Sequence, residues 1–102
     1  QWNNPTWTND LANVISMIIK KNISGLYHYG GGDFLNRLEF AKMIASAFSL
    51  DRELIQPITT PELNWLAQRP LKSGLYTNKI ELDLGIEPLP IQTALDKMVS
   101  LL

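Results

Sequence analysis

The stretch Tyr27-His28-Tyr29-Gly30-Gly31-Gly32-Asp33 sets an imidazole, two phenols and a glycine run just ahead of a helical pattern. Strand, glycine turn and helix is how many folds hold a phosphate, with backbone N–H groups crowding an anion at a helix N-terminus. The spacing here does not fit. In G-x-G-x-x-G the third glycine would fall at position 35, which is Leu35, and no Gly-Lys-Ser/Thr follows. Asp33 also puts negative charge where an anion would sit. The glycines therefore read as a corner leading to a capped helix.

Other residues offer chemistry at other places. Tyr76 and Lys79 resemble a catalytic pair in which an ammonium lowers a phenol pKa. Their spacing is three rather than four, and Tyr76 precedes the helical pattern. His28, the lone histidine, has no nucleophile pattern near it. Asp33, Glu39 and Asp51 lack metal-ligand spacing. Arg69 is a stronger candidate. It stands before Pro70 and after Trp65 in a long segment without periodicity, and arginine suits phosphate or carboxylate. Its alternative role is a surface arginine or a structural ion pair. Trp2 and Trp7 flank Asn3-Asn4-Pro5-Thr6, where an aromatic ring could cap a core or stack on a ligand.

The elements that must position these groups follow from the pattern. Thr8 is the expected N-cap of a first helix, with Asp10 in its first turn. Leu11, Val14, Ile15 and Ile18 form its apolar stripe, Lys20 and Lys21 its last turn, and Ser24-Gly25 its stop. Leu26 to Tyr29 reads as a short strand. Asn36 caps a second helix with Glu39 three residues on, and Leu35 and Phe40 fit a hydrophobic staple. Its apolar face is Phe40, Met43, Ile44, Ala47 and Phe48, and it stops near Ser49 to Leu50. Ile55 to Ile58 reads as a second strand, which would make a β-α-β unit with parallel pairing. Pro61 to Ser73 reads as a loop with room for one helical turn. Asn78 to Leu84 reads as a short helix closed by Gly85. Pro90 opens a last helix with Ile91, Leu95, Met98 and Leu102 as its buried stripe. The expected fold is α/β: one domain over residues 1–102, with a short two-stranded parallel sheet and about three main helices.

Composition narrows the function. The chain has 102 residues, 45% of them hydrophobic, which supports one modest core. Net charge is −1, which leaves no electrostatic footprint for nucleic acid. There is no cysteine, so neither disulfides nor thiolate metal sites can form. No apolar run reaches membrane-spanning length. The sequence starts at Gln1 rather than Met, which reads as a piece of something larger.

Several stretches together carry a family resemblance. Gln1-x-x-x-Pro5-Thr6, Trp7-Thr8 and Asp10-Leu11-Ala12 open it, and Gly25-Leu26-Tyr27-His28 continues it. Glu39-Phe40-Ala41 with Ile44, Pro57-Ile58-Thr59-Thr60, Arg69-Pro70, Ser73, Leu75, Lys79 and Leu84-Gly85 follow in order. The chain resembles the substrate-binding lobe of dTDP-4-dehydrorhamnose reductases, which are extended short-chain dehydrogenase/reductases. The resemblance implies a nucleotide-sugar substrate and a cytoplasmic location. It also implies NADPH or NADH bound by a Rossmann domain that lies upstream and is missing here. No cofactor and no catalytic residue is expected on this chain. The lobe should expose an apolar face where that domain docks, able to drive self-association into a homo-oligomer. Gln1 to Thr6, with Gln1 and Trp2 as substrate-binding residues, and Trp65 to Arg69 would edge the cleft; Arg69 would contact phosphate and Trp65 would stack on sugar or base. Thr6 and Thr8 would hold the loop and cap the helix. Asn3 stands where the family usually has glycine, and asparagine tolerates a left-handed conformation. Related readings are a nucleotide-sugar epimerase lobe and the non-catalytic regulatory subunit of methionine adenosyltransferase, which shares the fold.

Overall fold

A computed structural model describes residues 1–63, 66–67 and 69–102. Strand β1 (Trp2–Asn3) precedes helix α1 (Thr8–Lys20), and strand β2 (Leu35–Asn36) runs straight into helix α2 (Arg37–Ala47). Two short 3₁₀ turns follow, at Arg52–Leu54 and Thr60–Leu63. Helices α3 (Asn78–Leu84) and α4 (Ile91–Ser100) close the chain. The architecture is α/β with four helices rather than the expected three or so, because Asn78–Leu84 forms a full helix that buries Ile80 and Leu84.

The sheet differs from expectation. β1 and β2 pair antiparallel, with Trp2 opposite Asn36 and Asn3 opposite Leu35. The other edge of Trp2 makes one parallel bridge to Lys72, through Trp2 N–H to Leu71 O at 2.6 Å and Ser73 N–H to Trp2 O at 2.9 Å. The expected strands at 26–29 and 55–58 carry no ladder, so the parallel β-α-β unit does not form. The reason is that the two segments serve different places. Tyr27 and Tyr29 alternate inward onto one core cluster, as a strand would, while Ile55 and Ile58 flank Trp2 beyond α2. Pro57 also lacks the N–H that a ladder needs.

Two apolar clusters hold the elements. Val14 of α1 meets Ile80 and Leu84 of α3, with Met17, Ile18, Ile23 and the two tyrosines packed around them. Ile91, Ala94 and Leu95 of α4 meet Phe40, Met43, Ile44 and Phe48 on the α2 side, joined by Trp7 and Leu35. The staple pair Leu35 and Phe40 thus reaches one cluster. The expected stripes are narrower than the pattern suggests. Leu11 and Ile15 of α1 face outward, as does Ile19, at 37%, 48% and 73% exposure. Leu102 lies beyond α4 and is 91% exposed.

Helix ends show why the chain stops where it does. The Asn36 side chain accepts from Glu39 N–H at 2.8 Å, the expected cap. Thr8 is instead the first helical residue of α1; Trp7 holds the N-cap position without a side-chain bond. α1 ends before Ser24-Gly25. Asn22 takes φ 52°, and the bonds Ile23 N–H to Ile18 O and Asn22 N–H to Ile19 O close the helix in a Schellman motif. Ser49 at φ 56° ends α2 the same way, with Leu50 N–H on Ala45 O. Gly85 at φ 64° ends α3, as its position predicts. Pro90 is the N-cap of α4, one place before its expected position.

Candidate functional site

The first six residues run across the molecule and define two surroundings. From Asn4 to Thr6 every side-chain polar atom is used. Asn4 Nδ2 donates to Gly31 O at 3.3 Å and Asp33 O at 3.4 Å, and its Oδ1 accepts from Leu75 N–H at 2.8 Å. Thr6 Oγ1 accepts from Gly31 N–H at 3.0 Å and donates to Asn4 O at 2.9 Å. Thr6 therefore does hold the loop, whereas Thr8 makes no cap bond.

This seam answers the glycine question. Gly31 and Gly32 lie between Pro5 and the Pro88–Pro90 segment. A Cβ on Gly31 would stand 2.0 Å from Pro5 O, and one on Gly32 would stand 2.9 Å from Pro88 O. Neither glycine has positive φ, so close backbone approach, not a left-handed turn, demands them. Asp33 completes the seam. Its Oδ2 accepts from Ile91 N–H at 2.7 Å, at the first turn of α4. The anion at a helix N-terminus is thus the chain's own carboxylate.

Ahead of the seam the surface opens. Two clefts adjoin along α2. The first has a volume of about 580 Å³ and lies between Asn3, Thr6, Phe40, Ile44, Ser73 and Leu75. The second, about 620 Å³, lies between Gln1, Trp2, Ile55, Ile58, Pro61 and Leu71. Arg37 and Ala41 line both. They stand four apart on α2 and so share one face, which makes them the ridge between the clefts. Gln1 O accepts from Arg37 N–H at 3.2 Å and fixes the segment to the helix start. The Trp2 ring leans on Phe34, centroids 5.6 Å apart and planes tilted 35°.

The candidates named from sequence divide here. Gln1 and Trp2 both line the second cleft. Gln1 Nε2 is buried with no hydrogen-bond partner among the described residues. Arg69 is exposed, is engaged in an interaction of its own, and is not among the described residues that line either cleft. Trp65 lies outside the described residues. Asn3 is extended in β1 and needs no left-handed backbone.

Arg37 is the residue that sequence reasoning passed over. A signal was present: as the first residue of α2 it places a cation at the positive end of the helix dipole, where stability disfavours it.

The remaining chemistry-bearing groups line neither cleft. Lys79 Nζ donates to Leu26 O at 2.8 Å and sits 4.4 Å from the Tyr27 ring centroid. Tyr76 is 93% exposed, so the tempting pair is not assembled. His28 is exposed. Tyr27 Oη donates to Asp83 at 2.6 Å, and this bond raises the phenol pKa. Tyr29 Oη donates to Asp10 at 2.5 Å. Burial first, then the Asp10 bond, pushes its pKa up to about 12, against a backbone bond from Leu89. Both tyrosines are neutral struts that tie residues 27–29 to α3 and α1. Among the described residues no cluster of carboxylates and imidazoles could hold a metal ion, and no helix is long and apolar enough to cross a membrane.

Comparison with known proteins agrees with the sequence order. The model of the RmlD substrate binding domain matches residues 1–102. The dTDP-4-dehydrorhamnose reductase of Aggregatibacter actinomycetemcomitans is 32% identical over 102 residues, covering 89% of this chain and 35% of the relative. Methionine adenosyltransferase 2 subunit beta is 30% identical in Danio rerio, over 89% of this chain and 30% of the relative. The Pongo abelii protein of that name is 36% identical, over 80% of this chain and 25% of the relative. The chain therefore spans between a quarter and about a third of the relatives it matches. No solved structure matches it. With the family model matched from Gln1 to Leu102, this chain belongs to the RmlD substrate binding domain family.

Proposed function

We propose that this chain is the substrate-binding lobe of a reductase acting on a 4-keto nucleotide-sugar, in the manner of dTDP-4-dehydrorhamnose reductase. The observation that supports this is the pair of adjoining clefts on the Gln1–Thr6 segment, both walled mainly by apolar groups and both lined by Arg37. A nucleotide-sugar likewise has two ends joined by a charged diphosphate. In the whole protein, NADPH or NADH on a Rossmann domain would deliver hydride to the C4 carbonyl, and a tyrosine of that domain would supply the proton. The lobe contributes binding and closure. The outward stripe of Leu11, Ile15 and Ile19 is the face suited to pack against that domain. Arg69 and Trp65 stay in this reading as substrate contacts made on closure, and the cytoplasm is the expected location.

The test is reduction of dTDP-4-keto-6-deoxyhexose by NADPH or NADH, with the protein that carries this lobe, together with dTDP titration by calorimetry. Turnover and binding support the reading. Failure of both overturns it.

A second reading has its own support in the likeness to methionine adenosyltransferase 2 subunit beta. On that reading the fold serves as a subunit that contacts a protein partner. Co-purification with a methionine adenosyltransferase, with no sugar turnover, would favour it.

A further inference from the structure

We propose that Arg37 binds the diphosphate of the nucleotide-sugar, with the base in the Trp2 cleft and the sugar in the Ser73 cleft. The assignment rests on the nucleotide-sugar reading above. Among the described residues lining the two clefts, Arg37 is the one charged residue, and it lines both. Its side chain has no hydrogen bond or ion pair among the described residues, so its fork of donors is open. A ligand with an anionic centre and two neutral ends would span this ridge with its charge on Arg37. Bidentate contact between guanidinium and phosphate is the strong form of that interaction.

The walls give the direction. The second cleft is lined by Trp2 beside Ile55, Ile58 and Pro61, apolar surroundings that suit a flat base. Gln1 lines it as well, and an amide can exchange hydrogen bonds with the ring carbonyl and N–H of a pyrimidine such as thymine. The first cleft offers the Asn3 amide and the Ser73 hydroxyl, which donates to Trp2 O at 3.4 Å and keeps acceptor capacity for a sugar hydroxyl.

The test uses the protein that carries this lobe, in wild-type form and as Arg37→Gln, Arg37→Lys and Gln1→Leu. The probes are dTDP, thymidine and inorganic diphosphate, read by calorimetry and by the NMR signals of Trp2 and Ser73. Arg37→Gln should weaken dTDP about tenfold or more and leave thymidine unchanged. Arg37→Lys should fall between, because it keeps the charge and loses the fork. Gln1→Leu should weaken thymidine and dTDP alike and leave diphosphate unchanged. Thymidine should shift the Trp2 indole signal and not Ser73. If Arg37→Gln binds dTDP as the wild type does, or if thymidine moves Ser73 instead, this assignment falls and the nucleotide-sugar reading stands. If the wild type binds neither dTDP nor thymidine, that reading falls as well.

Discussion

One six-residue segment builds two regions that obey opposite rules. At the seam, Asn4 and Thr6 spend every side-chain polar atom on backbone, and the neighbouring glycines leave no room for a Cβ. At the clefts, three residues earlier, Gln1 keeps a buried donor unpaired and Arg37 has no side-chain partner among the described residues. The seam is saturated and tight; the clefts are unsaturated and open. Saturated polar groups stabilise a fold, and unsaturated ones await something else. The difference separates residues that hold the fold from those to which the proposal assigns binding, on neighbouring positions of the same chain.

The comparison can be broken most severely at Gly31. Gly31→Ala puts a methyl group 2.0 Å from a backbone oxygen that no rotamer change can relieve. We expect a loss of about 3 kcal/mol or more by denaturant unfolding. A loss below about 1 kcal/mol would show that the seam is slack. Asn4→Ala removes three bonds between three segments and should cost about 2 kcal/mol on the same assay. Equal stability with wild type would contradict the saturated seam.

Smaller effects sharpen the boundary. Asp33→Ala deletes the α4 cap bond and should cost about 1 kcal/mol. Tyr29→Phe should cost about 1 kcal/mol at neutral pH, discounted for solvent screening. The folded Tyr29 pKa is raised to about 12 from an ordinary 10, so the protonated phenol favours the fold. That stability is fully present below about pH 10 and is lost as pH rises from there through about 12. Melting curves across this window should therefore fall for wild type and stay flatter for Tyr29→Phe. Parallel curves would count against the Asp10 strut. Smallest of all, Arg37→Gln should change stability by less than about 0.5 kcal/mol, because Arg37 is exposed. A large loss there would place Arg37 with the seam, not with the clefts.

Much of this organisation was legible in local sequence. The Asn36 cap, the Leu35–Phe40 staple, the Gly85 stop and the rejection of a phosphate loop all follow from residues within a few places of each other. Local pattern misled where a partner had to be chosen. Tyr27 and Tyr29 alternate as a strand does, yet they anchor through phenols to Asp83 and Asp10 rather than through a ladder. Trp2, with no strand signal around it, became the strand that bridges Asn36 and Lys72. Leu11 and Ile15 fit the helical stripe, but α3 covers only the Val14 side of α1.

The sequence by itself determined the family, where the helices lie and where α2 and α3 stop, because caps, periodicity and motif order are local or linear properties. Only the tertiary structure decided which backbones pair, why Gly31 must be glycine and which cation faces the clefts. Each of these depends on groups far apart in the chain: Pro5 beside Gly31, Trp2 beside Lys72, and Gln1 beside Arg37. Such neighbours are set by the packing of two apolar clusters, and the spacing along a sequence does not encode it.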